Sequence, residues 1–203
     1  MAINLQKGQR VDLTKGNPGL SKILVGLGWD PVQSGGKGFL GSLFGGGSTA
    51  NIDCDASVIM LGENDRLQNN NDVIYFGNLK SKDGSVQHSG DNLTGDGDGD
   101  DEQIIVDLNS VPANIQKLVF VVNIYDAVKR RQHFGMIRNA FIRIVNASNQ
   151  QEMLRYNLTE DYSGKTCLIA GEIYRNAGEW KFAAVGNGTN AASLGDVVRT
   201  YTK

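Results

Sequence analysis

Short apolar runs, broken by turn residues about every ten positions, set the strongest limit on what this chain can fold into. The clearest is KLVFVVNIYD (117–126), which is β-branched and aromatic with apolar residues on both faces. A central strand of a two-layer structure requires that pattern. NAFIRIVNA (139–147) alternates instead: Phe141, Arg143 and Val145 face one way, Ile142 and Ile144 the other. ILVGLGWD (23–30), SVIML (57–61), VIYFG (73–77), QIIVDL (103–108), TCLIAGEIYR (166–175) and EWKFAAVG (179–186) read as further strands. RNAG (175–178) and NASNQQ (146–151) read as hairpin turns. Helical spacing is clearest in the tail AASLGDVVRTY (191–201), where Leu194, Val197, Val198 and Tyr201 share a face. Many short strands with little helix predict an all-β fold, an antiparallel β-sandwich of two sheets with short peripheral helices, in one domain over 1–203.

Composition then removes several function classes. A formal charge of -2 argues against a dedicated nucleic-acid binder. The densest basic run, VKRRQH (128–133), lacks aromatic partners and reads as a solvated turn. No apolar run is long enough for a membrane helix, and MAINLQKGQRVDL has no signal-peptide core. A cytoplasmic location is the resulting expectation, with any membrane association indirect. Cys54 and Cys167 are far apart and form no CxxC pair, so neither a disulfide framework nor a zinc ribbon is expected. Only two histidines, His88 and His133, are present, and no GxSxG elbow accompanies them. No catalytic residue and no small-molecule substrate is therefore predicted. The glycine-rich SGGKGFLGSLFGGGST (34–49) lacks the phosphate-loop order. It reads as a flexible loop insertion; the sharper reading is an amphipathic flap that docks on a partner.

One stretch points to chemistry. GDNLTGDGDGDDE (90–102) holds six acidic side chains, four glycines and no base. The carboxylates repel one another, while the glycines let the backbone turn its carbonyls inward. Hard divalent cations want that combination, and Ca²⁺ takes six to eight oxygens at about 2.3–2.6 Å in a forgiving geometry. Imidazole- and thiol-seeking metals are disfavoured by the absence of Cys and His within the loop. An EF-hand is excluded: with Asp96 first, the obligatory glycine falls on Asp101 and the terminal Glu on Asp107. Composition alone would equally serve a solvated acidic loop. Two other segments tilt the reading. NIDCDAS (51–57) sets Asp53 and Asp55 on one strand face with Cys54 on the other, and GLGWD (26–30) ends an apolar strand on Asp30. If the three segments meet, they form an oxygen-rich cage for more than one ion.

These segments resemble the TerD family of tellurium-resistance and stress-response proteins, and the likeness covers nearly the whole chain. GSVQHSGDNLTGDGDGDDEQIIVDL (84–108) carries most of it, with GLGWD, DCDAS, IYFGN, FGMIRNAFIRIVN, RYNLTED and AGEIYRNAGEWKFAAVGNG in support. The resemblance implies a compact β-sandwich that binds Ca²⁺, typically two ions, at one end. It implies side-chain ligands from Asp91, Asn92, Asp100, Asp101 and Glu102, and backbone ligands near Thr94 and Gly95. Asp30, Asp53 and Asp55 would add acids from the other segments. The stretch 35–47 is longer than expected in shorter members, which bears on how Asp30 reaches the site. The function so implied is that of a calcium-dependent interaction module in a stress response associated with tellurite resistance, with other proteins of that system as partners and no enzymatic activity. The alternatives are a metal-assisted phosphoester hydrolase and a purely structural scaffold subunit.

Overall fold

The structure, a computed structural model, describes residues 2–31, 52–90 and 99–202. The predicted runs form strands that sort into two sheets. The first sheet is built from β1 (Ile3–Leu5), β3 (Lys22–Pro31), β6 (Val86–His88), β7 (Glu102–Asp107), β9 (Ile137–Asn146) and β10 (Gln151–Asn157). Its order is β1-β10-β9-β3-β7-β6. The second is built from β2 (Arg10–Asp12), β4 (Cys54–Leu61), β5 (Val73–Ile74), β8 (Lys117–Ile124), β11 (Cys167–Asn176) and β12 (Glu179–Thr189), in the order β2-β12-β11-β8-β4-β5. All pairings are antiparallel except β1 with β10, which is parallel. The all-β sandwich expected from the sequence is the fold observed.

Period-two alternation decides which side chains meet between the sheets. Ile23, Val25, Leu27 and Trp29 of β3 point inward, as do Cys54, Ala56, Val58 and Met60 of β4. Ile142 and Ile144 face the core and Arg143 the outer surface, as the alternation required. Trp180 and Phe182 are core residues. β8 is buried on both faces because its outer side is also covered. Val119 and Val121 lie in a second cluster with Ile59, Leu61, Cys167 and Val197. The cover includes α2 (Leu194–Thr200), capped by Ser193, whose Oγ accepts from the Asp196 amide. The RNAG turn between β11 and β12 has Ala177 and Gly178 at φ 52° and 83°, the two positive values a type I′ hairpin needs.

Some elements escaped the sequence reading. β1, β2 and β6 are three residues each, too short to show a period, and β10 starts at Gln151, where the expected turn NASNQQ ends. VIYFG gives a strand only at Val73–Ile74 before the chain turns at Phe76 and Gly77, bridging Tyr75 to Asn78. The basic run includes one helical turn, α1 (Ala127–Arg130), whose Val128 and Lys129 face solvent. No helix among the described residues is long and apolar enough to cross a membrane.

Candidate metal centre

Strand directions bring the acids to one end of the sandwich. β3 ends where β7 begins, and β4 begins where β8 ends. The two sheets are joined at that end by Glu102, whose Oε2 accepts from the Ala56 amide of β4 at 2.7 Å. Glu102 is the inward-facing first residue of β7 and is only 1% exposed. His88 Nε2 lies 3.1 Å from the Ala56 carbonyl and 3.2 Å from Glu102 Oε2. Its Nδ1 accepts from the Gly90 amide at 3.0 Å, which puts the ring proton on Nε2. β5 pairs with β4 only at Val58 and Ile59, so that among the described residues no strand pairs with the Ala56 edge. Glu102 and His88 take its place, supplying by side chain the acceptor and donor that a neighbouring backbone would otherwise supply.

Asp101 extends the other sheet in the same way. Its amide donates to the Leu27 carbonyl at 2.9 Å, and its Oδ2 accepts from the Trp29 amide at 2.7 Å. The carboxylate thus continues the β3–β7 ladder one step ahead of the start of β7. Burial pushes the Asp101 carboxyl up; the Trp29 amide pulls it down, and the nearby charges of Asp30, Glu102 and Asp100 push it up again, leaving it raised.

Asp100 lies on the outer face of the first sheet. Its carboxylate is forked by Arg143, Nε to Oδ1 at 2.7 Å and Nη2 to Oδ2 at 2.9 Å, and Gln103 adds a bond at 3.1 Å. The glycines of GLGWD make this possible. A Cβ on Gly26 would overlap the Asp100 carboxylate, and one on Gly28 would overlap the Phe141 ring. Asp100, one of the ligands the resemblance implies, is thus held by Arg143 and Gln103. Asp30 also faces outward; its Oδ2 accepts from Asn139 Nδ2 at 2.7 Å. A bulge lies between, where Asn139 and Ala140 face the single Trp29 and Asn139 takes φ 54°.

On the second sheet, Asp53 precedes β4, 3.8 Å from Arg130 Nη1. Cys54 points into the core, as expected, and Asp55 into the outer face opposite Asn123, whose Nδ2 donates to Asp55 Oδ2 at 3.2 Å. The acids therefore run across the end of the sandwich from one outer face to the other: Asp30 and Asp100, then Asp101 and Glu102, then Asp53 and Asp55. The described parts of the three segments lie together at this end, with Asp101 on Trp29 and Glu102 on Ala56. Among the described residues, no group of three or more Asp, Glu, His or Cys side chains is arranged to hold a metal ion. Asp91, Asn92, Thr94 and Gly95, together with Asp96, Asp98 and the stretch 34–49, lie outside the described residues.

Sequence reading did not single out Arg143, Asn123, Asn139 or Arg130. A weak signal existed for two of them. Arg143 is the one charge in the alternating run NAFIRIVNA, and Asn123 the one amide in β8. His88 is buried and hydrogen-bonded through both ring nitrogens.

The TerD domain model matches residues 1–201. The stress response protein SCP2 of Bacillus subtilis is 66% identical over 99% of this chain and 100% of its own length. The tellurium resistance protein TerD of Serratia marcescens is 46% identical over 99% of this chain and 97% of its own. Among solved structures, a homologue of the telluride resistance protein TerD from Streptomyces coelicolor covers 88% of this chain and 98% of its own. Its TM-score is 0.63 at 21% identity, a likeness of fold. With a family model and full-length relatives in agreement, the chain belongs to the TerD family.

Proposed function

We propose that the protein is a calcium-dependent interaction module of a stress response that includes tellurite resistance. The calcium site is the acidic end of the sandwich, and the surface organised there is the docking face. Two of its relatives are named for stress response and tellurium resistance, which supports the wider setting. The observation that carries the calcium reading is the Asp101–Glu102 step. Two adjacent carboxylates tie into the two different sheets, and the Asp101 carboxyl is raised in part by the charges beside it. Bringing a third negative segment against them is unfavourable until positive charge arrives.

The donor chemistry fits a hard divalent cation. Every candidate is an oxygen, the Cys54 sulfur lies in the core, and His88 uses both ring nitrogens within the fold. Asp53, Asp101 and Glu102 would hold the ions with Asp91, Asn92, Thr94 and Gly95, while Asp30 and Asp55 flank them on the two outer faces. Bound there, Ca²⁺ supplies the positive charge that the clustered carboxylates lack. The chain's own residues do the rest. Glu102 joins the two sheets, Asp101 ties β7 to the end of β3, and Arg143 anchors Asp100. Binding to the folded form alone stabilises it by about 2.7 kcal/mol at a hundredfold excess over Kd.

This reading is of a binding module in the cytosol, not of an enzyme. Both imidazoles use Nδ1 to cap a backbone amide, Gly90 for His88 and Gly135 for His133. Calorimetric Ca²⁺ titration of chelator-treated protein, with Mg²⁺ as competitor, tests it. One or two Ca²⁺-selective sites, lost in an Asp101→Asn/Glu102→Gln variant, are expected. Pulldowns with and without Ca²⁺ should then differ in their partners. Absence of heat and of any shift in melting temperature would end the calcium reading.

A further inference from the structure

Where α2 stops covering the second sheet, a groove of about 380 Å³ opens on the outer face beside the acidic end. Asp55 and Ser57 of β4 and Asn123 of β8 form its floor, and Tyr75, Phe76 and Tyr125 line its sides. The floor is polar and buried within an otherwise apolar sheet: Asp55 is 4%, Ser57 1% and Asn123 8% exposed. Phe76 and Tyr125, by contrast, are 43% and 47% exposed.

Two floor atoms have no hydrogen-bond partner: Ser57 Oγ and Asn123 Oδ1. The orientation of Asn123 follows from chemistry. A carboxylate only accepts, so the amide must turn its NH₂ to Asp55 and leave Oδ1 unpaired. Buried polar atoms without partners are costly, so a groove that keeps two of them suits a ligand that satisfies them. They set two unpaired oxygen acceptors beside the negative charge of the Asp55 carboxylate.

A primary ammonium matches that floor. It carries three N–H donors and no acceptor, and its charge is complementary to Asp55. An alkyl stem would lie against the aromatic side chains, whose faces attract cations. Tyr125 already does so within the chain, with the Arg130 guanidinium 5.2 Å from its ring centroid. Anionic ligands are disfavoured, because Asp126 also lines the groove. A quaternary ammonium would leave the acceptors unsatisfied.

We propose that this groove binds a primary ammonium group on a short aliphatic stem, either a free amine or a lysine side chain presented by a partner. The site does not depend on the calcium reading, because its floor and walls come from strands and turns of the fold itself.

The test is a titration of the full chain by NMR chemical shifts with 1,5-diaminopentane and with a short lysine-containing peptide. 1-Pentanol and tetramethylammonium serve as controls, and each titration is run in Ca²⁺ and again in EDTA. At least one amine should bind in the millimolar range or tighter, shifting groove resonances in both conditions, while neither control does so. Response to the diamine alone identifies a small-molecule site, and to the peptide a side-chain site. Ser57→Ala and the exposed Phe76→Ala should each weaken binding by about five- to tenfold, with an unchanged melting temperature. Silence from both amines, equal binding of 1-pentanol, or affinity untouched by both substitutions would overturn the proposal. Amine binding that persists where calcium titration fails would overturn the calcium reading alone.

Discussion

Gly28→Ala is the most direct probe of how the acidic end is assembled. Gly28 faces outward on β3 opposite Phe141, and an added Cβ would overlap the Phe141 ring and stand 2.7 Å from the Gly99 carbonyl. Neither neighbour yields easily. The Arg155 guanidinium lies 3.9 Å from the Phe141 ring centroid, and Arg155 is tied to Glu152 at 3.3 Å. Gly99 is held between the strand and the loop at φ 118°, a conformation that needs glycine. Overpacking of this kind costs about 1–3 kcal/mol. The lost flexibility of the unfolded chain returns about 0.4–1 kcal/mol. A net loss of about 1–2 kcal/mol lowers the melting temperature of a chain this long by about 2–8 °C. Because the Gly99 backbone is displaced, Ca²⁺ affinity should fall as well. Gly16 is the control: a Cβ there meets nothing within 4 Å, so Gly16→Ala should not destabilise. Calorimetric melting of both variants in Ca²⁺ and in EDTA is the assay. If Gly28→Ala melts with the parent, or Gly16→Ala falls equally far, the steric account of the GLGWD glycines is wrong.

Arg143→Ala strips the fork from Asp100, whose side chain has no exposed surface. The cost should be about 3 kcal/mol, the low end for breaking a buried pair because Arg143 is itself partly exposed. A urea midpoint that barely moves, with the slope unchanged, would refute it. The Glu160 carboxyl is pushed up by burial, but the hydrogen bonds from Tyr162 and Tyr156 outweigh this and hold it below its ordinary 4.5. A lowered folded value means a contribution present above pH 4.5 and lost as pH falls through the folded value. Tyr162→Phe should therefore shrink the difference in stability between pH 6 and pH 3, measured by urea unfolding; a difference equal to the parent's would remove Glu160 as its source. Burial pushes the Cys167 thiol up to about 12 and, with the neighbouring carboxylates Asp55, Asp53, Glu102 and Asp101, pushes Cys54 up strongly. Native protein at pH 8 should resist thiol alkylation by mass spectrometry and gain two labels only when unfolded; rapid native labelling would contradict the buried positions.

The strands of the core were legible because burial on one face leaves a period in the sequence, as in NAFIRIVNA, and burial on both faces leaves an apolar run, as in KLVFVVNIYD. The short strands β1, β2 and β6 were not, since three residues carry no period and their pairing comes from neighbours distant in the chain. The clustering of the acids was legible: GLGWD, DCDAS and the end of the glycine-rich acidic loop lie at one end of the sandwich. The assignment of their roles was not. Asp100, Asp101 and Glu102 are consecutive and chemically alike, yet the first pairs with Arg143, the second caps β3 and the third crosses to β4. The sequence by itself thus determined a two-sheet sandwich and the place of an acidic loop between its strands. Only the tertiary structure decided which carboxylates serve the fold, because the partners of consecutive acids lie some 40 positions away or more and are selected by strand register.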